Sequence, residues 1–179
     1  MKKIKYSLIL VMGLSLSAQA VNPTEIIENI TAYHNNSKWQ KMSAQETFDQ
    51  FFDKYHLRGN ESLLDLCSGD GKVSAYFAHK LPTGRVLGLD ASKAMVDFAT
   101  ENYQSHQLKF EYGDAQKLSF DEEFDVITCF TCMHLIENSA NTFKGIYRSL
   151  KPGGKTLIQF PFDHSLRKAL DTTIHSTRW

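Results

Sequence analysis

The chain has 179 residues, 42% of them hydrophobic, with twenty basic residues balanced by twenty acidic ones. That is enough for one packed domain and short for two, and it excludes wholesale disorder. Lys and Arg form no stripe with interleaved aromatics. Nucleic acid is therefore not expected as a partner, because phosphate neutralisation needs clustered cations.

The N-terminus has the three parts of a secretory signal. Lys2, Lys3 and Lys5 come first, then a mostly apolar stretch from Tyr6 to Ser17, then Ala18-Gln19-Ala20 with the small-x-small form of a cleavage site before Val21. The apolar stretch is short for a bilayer span. The expectation is an exported protein, periplasmic or secreted, with no stable membrane span once residues 1–20 are removed. An uncleaved N-terminus would instead leave it anchored or cytoplasmic. Three of the twenty basic residues lie in this segment, so 17 remain against 20 acidic ones.

Further along, Ser43 and Glu46 form a capping-box pattern for a helix to about Tyr55. Its apolar residues Phe48, Phe51, Phe52 and Tyr55 share one face. Arg58-Gly59-Asn60 breaks it. Ser62–Leu66 suits a buried strand, Lys72–Leu81 a helix and Arg85–Leu89 a second strand. Ser92 caps a helix to about Tyr103, and Leu108–Tyr112 alternates like a strand. Phe124–Phe130 is a fourth strand. Phe143, Ile146, Tyr147 and Leu150 mark one face of a helix that Lys151-Pro152-Gly153-Gly154 stops. Thr156–Phe160 is a fifth strand, and a last helix is expected from Asp163 to about Ile174.

Strands alternating with helices predict an α/β fold with a doubly wound, mostly parallel sheet. Such sheets bind ligands beyond the carboxyl ends of their strands, where strand order reverses. The first strand is followed by Asp65-Leu66-Cys67-Ser68-Gly69-Asp70-Gly71, in which two glycines allow a tight turn and close backbone approach. The next helix starts there, with N–H groups that favour an anionic group. The second strand ends at Asp90, placed to accept hydrogen bonds from a ribose diol. Loop and acid together favour a nucleoside ligand. Cys67, Gly69 and Lys72 do not make a dinucleotide G-x-G-x-x-G, and no P-loop occurs.

Cys67, Cys129 and Cys132 are too few for a disulfide framework. Cys129-Phe130-Thr131-Cys132 has CxxC spacing but follows a late strand, where a thioredoxin-like motif would not lie. With no second cysteine pair and no suitable histidine spacing, no metal site is expected. The pair reads as two small residues at a strand end. In an exported protein a disulfide between them stays open.

The segment Asp65–Gly71 resembles the first motif of class I S-adenosylmethionine-dependent methyltransferases, acid-x-Gly-x-Gly-x-Gly. Gly88-Leu89-Asp90-Ala91-Ser92 with Met95, then Gly113-Asp114-Ala115, then Leu150-Lys151-Pro152-Gly153-Gly154-Lys155 follow in the family's order. The resemblance covers about Glu61 to Phe160 and implies a Rossmann-like fold with S-adenosylmethionine as cofactor. It implies that Asp65 and the backbone from Cys67 through Ser68 and Gly69 to Gly71 hold the methionine end. Asp90 would take the ribose, Ala91 and Met95 the adenine face, and Asp114 the adenine amino group, with Ala115 beside it. Thr128 to His134 would face the sulfonium and the acceptor. Cys67 stands where the family has glycine. There it would cost about 1 kcal/mol if φ is positive, crowd the cofactor and weaken its binding.

The segment from Tyr33 to Gln40 is similar to the N-terminal lid of small-acid O-methyltransferases of the trans-aconitate and juvenile-hormone-acid type. That makes Tyr33, Trp39 and Gln40 candidate substrate residues, residues 21–60 a helical lid segment, and residues 61–179 the methyltransferase domain. The family's sheet has seven strands and five are counted here, so either the sheet is short or the chain is truncated at the C-terminus relative to the family. The expected function is methyl transfer to a small-molecule acceptor, an oxygen of a carboxylate. A carboxylate needs no base. An alcohol, phenol or carbon acid would need one, and His134 is then the catalytic candidate; otherwise it lines the pocket. The alternative is an exported, catalytically degenerate binding protein that retains the fold.

Overall fold

The computed structural model describes residues 7–13 and 30–161. The helix expected from Asp163 lies outside the described residues. The strands are β1 (Ser7–Gly13), β2 (Ser62–Leu66), β3 (Arg85–Asp90), β4 (Leu108–Tyr112), β5 (Phe124–Phe130) and β6 (Leu150–Pro161). The helices are α1 (Ile30–Asn36), α2 (Lys38–Lys54), α3 (Lys72–Lys80), α4 (Lys93–Tyr103) and α5 (Ser139–Ser149), with short 3-10 turns at Ala115–Lys117 and Met133–Leu135.

All strands pair in parallel, in the order β1-β6-β5-β2-β3-β4. From β2 the chain steps outward through β3 to β4, and from β5 it steps the other way to β6. Strand order therefore reverses between β2 and β5, and a ligand crevice is expected beyond their carboxyl ends. The five expected strands are all present, as in a class I Rossmann-like methyltransferase sheet.

The central strands β2 and β5 are buried on both faces, which is why they read as nearly continuous apolar runs, whereas β4 alternates buried and exposed residues. Alternation divides each run between two cores. Leu63, Val126 and Leu157 pack with Phe48, Phe51, Phe77, Val96 and Phe110 beneath α2, α3 and α4. Leu64, Ile127 and Ile158 pack with Phe143, Ile146 and Met133 beneath α5.

Three local expectations change. Ser43 does not start a helix: α2 begins at Lys38, and the Ser43 hydroxyl accepts from Gln159 Nε2 at 2.8 Å, a long-range use that replaces the capping box. Lys151-Pro152-Gly153-Gly154 ends α5 as expected, but as an irregular start of β6, with Gly153 at φ +84° and a register shift against Phe124 and Val126. The sheet also gains a strand that the sequence reading lacked. Ser7–Gly13, inside the apolar stretch of the N-terminal segment, runs parallel to Lys155–Pro161. An apolar run with Ile9 and Val11 suits an edge strand as well as a signal core.

Candidate cofactor and acceptor site

The site is built where β2, β3 and β5 end. Gly71 makes the turn into α3 at φ +81°, and a Cβ there would lie 2.7 Å from Ala99 Cβ and 2.8 Å from the Phe110 ring. Only glycine fits. Gly69 also has positive φ, +54°, and the Tyr33 ring is the nearest thing a side chain there would meet, at 3.8 Å.

Asp90 ends β3 and fixes this loop. Its Oδ2 accepts from the Gly69 amide and its Oδ1 from the Ser92 amide, both at 2.8 Å. Burial raises its pKa, and these two amides oppose the rise. Each carboxylate oxygen has a second lone pair, so the acid can still receive a diol. Ser68 follows Cys67 in the loop. Its hydroxyl is buried and has no hydrogen-bond partner among the described residues. An orphaned hydroxyl and a half-committed carboxylate on one glycine loop fit a polar nucleoside ligand.

Asp65 sits beneath the loop at 2% exposure. It accepts from Ser74 at 2.6 Å and from Thr128 at 2.8 Å. Burial pushes its pKa up to about 6; the two hydroxyls pull it down and the Asp90 charge pushes it further up. Two of the predicted residues, Asp65 and Thr128, thus bond directly to each other, and Thr128 is fully buried.

Of the four residues expected to meet the adenine, Met95 and Ala115 are buried, Ala91 is exposed and Asp114 is half-buried. Asp114 Oδ1 accepts from the Gln116 amide at 2.9 Å, closing the 3-10 turn. The Ser92 hydroxyl caps α4 by accepting from the Met95 amide at 3.3 Å.

Over the loop lies α1. Tyr33 faces Gly69, and burial together with the charges of Asp70 and Asp90 raises its pKa to about 12, so its hydroxyl stays protonated. His34 Nδ1 lies 2.8 Å from Asp70 Oδ2. Lys72 Nζ pairs with the same carboxylate at 3.0 Å and donates to the His34 carbonyl at 2.8 Å and to Ser37 Oγ. Asp70, Lys72 and Ser37 are all buried. In the sequence Asp70 looks like a spacer between two glycines and Lys72 like an ordinary first residue of a helix; a charged pair where a loop opens a helix is the available signal.

Other predicted residues stand apart. Trp39 is 75% exposed and Gln40 is exposed, so the structure leaves both outside the cluster that Tyr33 joins. His134 is exposed, lies in the turn after β5, and has no hydrogen-bond partner among the described residues. Partial desolvation holds its pKa below the ordinary histidine value.

Cys67 does have positive φ, +58°. Its side chain packs against the α5-side core and forms a disulfide with Cys132. Cys129 is the free, buried thiol. The bridge left open between Cys129 and Cys132 is thus replaced by one between the two loops.

A methyltransferase-domain family model matches residues 63–154, the stretch from β2 into β6. Among curated proteins, the chain is 33% identical over 138 residues to juvenile hormone acid O-methyltransferase of Drosophila melanogaster, covering 72% of this chain and 46% of that one. It is 30% identical over 135 residues to demethylmenaquinone methyltransferase of Lactobacillus johnsonii, covering 72% and 52%. Among solved structures, an S-adenosylmethionine-dependent methyltransferase from Mesorhizobium loti superposes with TM-score 0.52 at 26% identity, over 59% of this chain and 50% of that one. A TehB-like methyltransferase from Corynebacterium glutamicum superposes with TM-score 0.65 over 86% and 83%, at 18% identity, a likeness of fold alone. The chain belongs to the class I methyltransferase family, whose cofactor is S-adenosylmethionine. It spans about half the length of the curated relatives it matches.

Proposed function

We propose that this protein is an S-adenosylmethionine-dependent methyltransferase whose acceptor is a small molecule methylated on a carboxylate oxygen. The observation that carries the cofactor half is the Gly69 amide on Asp90, which holds a glycine loop and a ribose-type acid in one rigid unit with the orphaned Ser68 hydroxyl beside it. When bound, S-adenosylmethionine supplies a methyl group already activated on a sulfonium.

The chain's own work is then to hold and orient. The Cys67–Gly71 backbone with Asp65 beneath it would hold the methionine end, Asp90 the ribose, and Met95, Ala115 and Asp114 the adenine. Tyr33, carried on α1, would close over the loop and exclude water. Alignment of this kind is worth up to roughly 7–11 kcal/mol of the barrier.

What favours oxygen of a carboxylate is the state of the candidate base. His134 is exposed and has no carboxylate to orient it among the described residues, while Asp65 and Asp90 already accept from Ser74, Thr128 and the loop amides. A carboxylate acceptor needs no proton removed; a carbon or phenol acceptor does. The likeness to a juvenile hormone acid O-methyltransferase agrees with this choice, and the likeness to a demethylmenaquinone methyltransferase marks its competitor.

Incubation with radiolabelled S-adenosylmethionine and a panel of small organic acids and quinols separates the two. A carboxyl methyl ester releases its label as methanol in mild alkali, whereas a methyl ether or C-methyl product keeps it. Alkali-stable label would overturn the carboxylate assignment. No labelled product with any acceptor, from a sample that binds the cofactor, would favour a binding protein. Export remains part of the proposal, supported by the signal-like N-terminus, whose cleavage would take β1 with it, and by a disulfide, which persists in oxidising compartments.

A further inference from the structure

The Cys67–Cys132 bridge spans the place where strand order reverses. Cys67 follows β2 and Cys132 follows β5, two adjacent strands from which the chain departs in opposite directions. It ties the glycine loop to the loop on the acceptor side. Each end of it has a non-glycine residue with positive φ: Cys67 itself at +58°, and Thr131, just before Cys132, at +55°. A β-branched residue in that region is an outlier that persists only where the surroundings over-determine it. The bridge is a constraint of that kind on both residues.

The third sulfur, Cys129, lies within 4.8 Å of the other two. It is fully buried, and burial with the nearby Asp65 charge holds its thiol far above the ordinary cysteine value. Such a thiol is a poor nucleophile, which opposes passage of the bridge to the Cys129–Cys132 pair despite the short distance. Cys67 is only partly buried, whereas Cys132 is 8% exposed, so Cys67 is the more accessible end of the bridge for an external thiolate.

We propose that Cys67–Cys132 is a reversible thiol–disulfide modification site, with a small dithiol as reductant and a low-molecular-weight disulfide as oxidant, and that the oxidised form holds the glycine loop in its cofactor-binding shape. In reduction, one reductant thiolate attacks Cys67 Sγ. The bond to Cys132 breaks, and Cys132 leaves as a thiolate and takes a proton. The second reductant thiol then displaces Cys67, which is protonated in turn, while the reductant closes its own disulfide. Two electrons and two protons pass to the protein, and oxidation reverses each step. With the bridge open, Cys67 and Thr131 are free to leave positive φ, and the Gly69 amide loses its fixed place on Asp90. The affinity consequence rests on the cofactor reading above; the bridge chemistry does not.

The test compares full-length protein after disulfide oxidation and after dithiol reduction, by alkylation with peptide mapping, amide hydrogen exchange across residues 67–72, and titration with S-adenosylmethionine. The oxidised sample should yield one alkylated cysteine, Cys129, after denaturation, and the reduced sample three. Reduction should speed loop exchange and weaken cofactor affinity, each by about tenfold, the scale of releasing one left-handed residue. Cys129→Ala should keep the redox dependence. Cys132→Ser should abolish it, giving reduced-like values in both conditions; if that variant does not fold, the wild-type pair of states still decides. Three free thiols after oxidation, a Cys129–Cys132 bridge, or loop exchange indifferent to reduction would overturn the site. Correct mapping and exchange with cofactor bound in neither state would instead sink the cofactor reading and leave the site standing.

Discussion

A single buried carboxylate makes the first test. Asp65 has an ordinary value of 3.8 and a folded value of about 6, so the folded state binds its proton more tightly than the unfolded state. Its contribution to stability is therefore fully present below about pH 4 and is lost as pH rises through about 6. The difference is on the order of 3 kcal/mol. Asp65→Asn removes the titration, and urea denaturation of that variant should lose this component of the pH dependence between pH 4 and 6. An unchanged slope would mean that Asp65 is not buried as described. Gly71→Ala tests the turn beside it. A Cβ against Ala99 and Phe110, on a residue at φ +81°, should destabilise by about 2–4 kcal/mol in the same assay. Gly71 was legible from the sequence because its neighbours announce a strand-to-helix turn. The partner of Cys67 was not, because spacing alone drew Cys129 and Cys132 together, whereas the fold sets Cys67 against Cys132 across 65 residues of sequence.

Among elements, α1 is held by a buried ion pair rather than by an apolar face; none of its own residues is fully buried. Lys72 neutralises Asp70 and donates to the His34 carbonyl and the Ser37 hydroxyl, so one ammonium group joins the glycine loop to both α1 and the start of α2. Lys72→Met leaves a buried carboxylate short of its cation and should cost about 3–5 kcal/mol, with chain cleavage by protease appearing first near Ser37. The double variant Lys72→Met with Asp70→Asn should recover much of that loss, since it removes the unpaired charge as well. If the single variant is as stable as wild type, the pair does not dock α1. The sequence reading placed a lid here from Tyr33 to Gln40. It could not see the break at Ser37, because the hydroxyl that marks it is used by a lysine 35 positions away.

For the whole molecule, the five expected strands and the helices between them were legible because each strand is a mostly apolar run or, at Leu108–Tyr112, an alternating one, bounded by turn residues. The sixth strand was not, since Ser7–Gly13 lies in a segment that also has the form of a signal. Its pairing has a consequence. Removing residues 1–20 strips β1 from β6 and leaves that edge unpaired, which favours association between copies. Size-exclusion chromatography of the full chain and of a chain starting at Val21 should show the shorter one associating more strongly, and equal behaviour would mean that β1 does not cover the edge. The central claim, that the loop from Cys67 to Gly71 and Asp90 form one cofactor site, is tested most directly by calorimetric titration with S-adenosylmethionine. Saturable heat from the oxidised wild-type protein, reduced in affinity at least tenfold by Asp90→Ala, is the predicted result. No heat at millimolar ligand from a folded sample, or full affinity in Asp90→Ala, would contradict it.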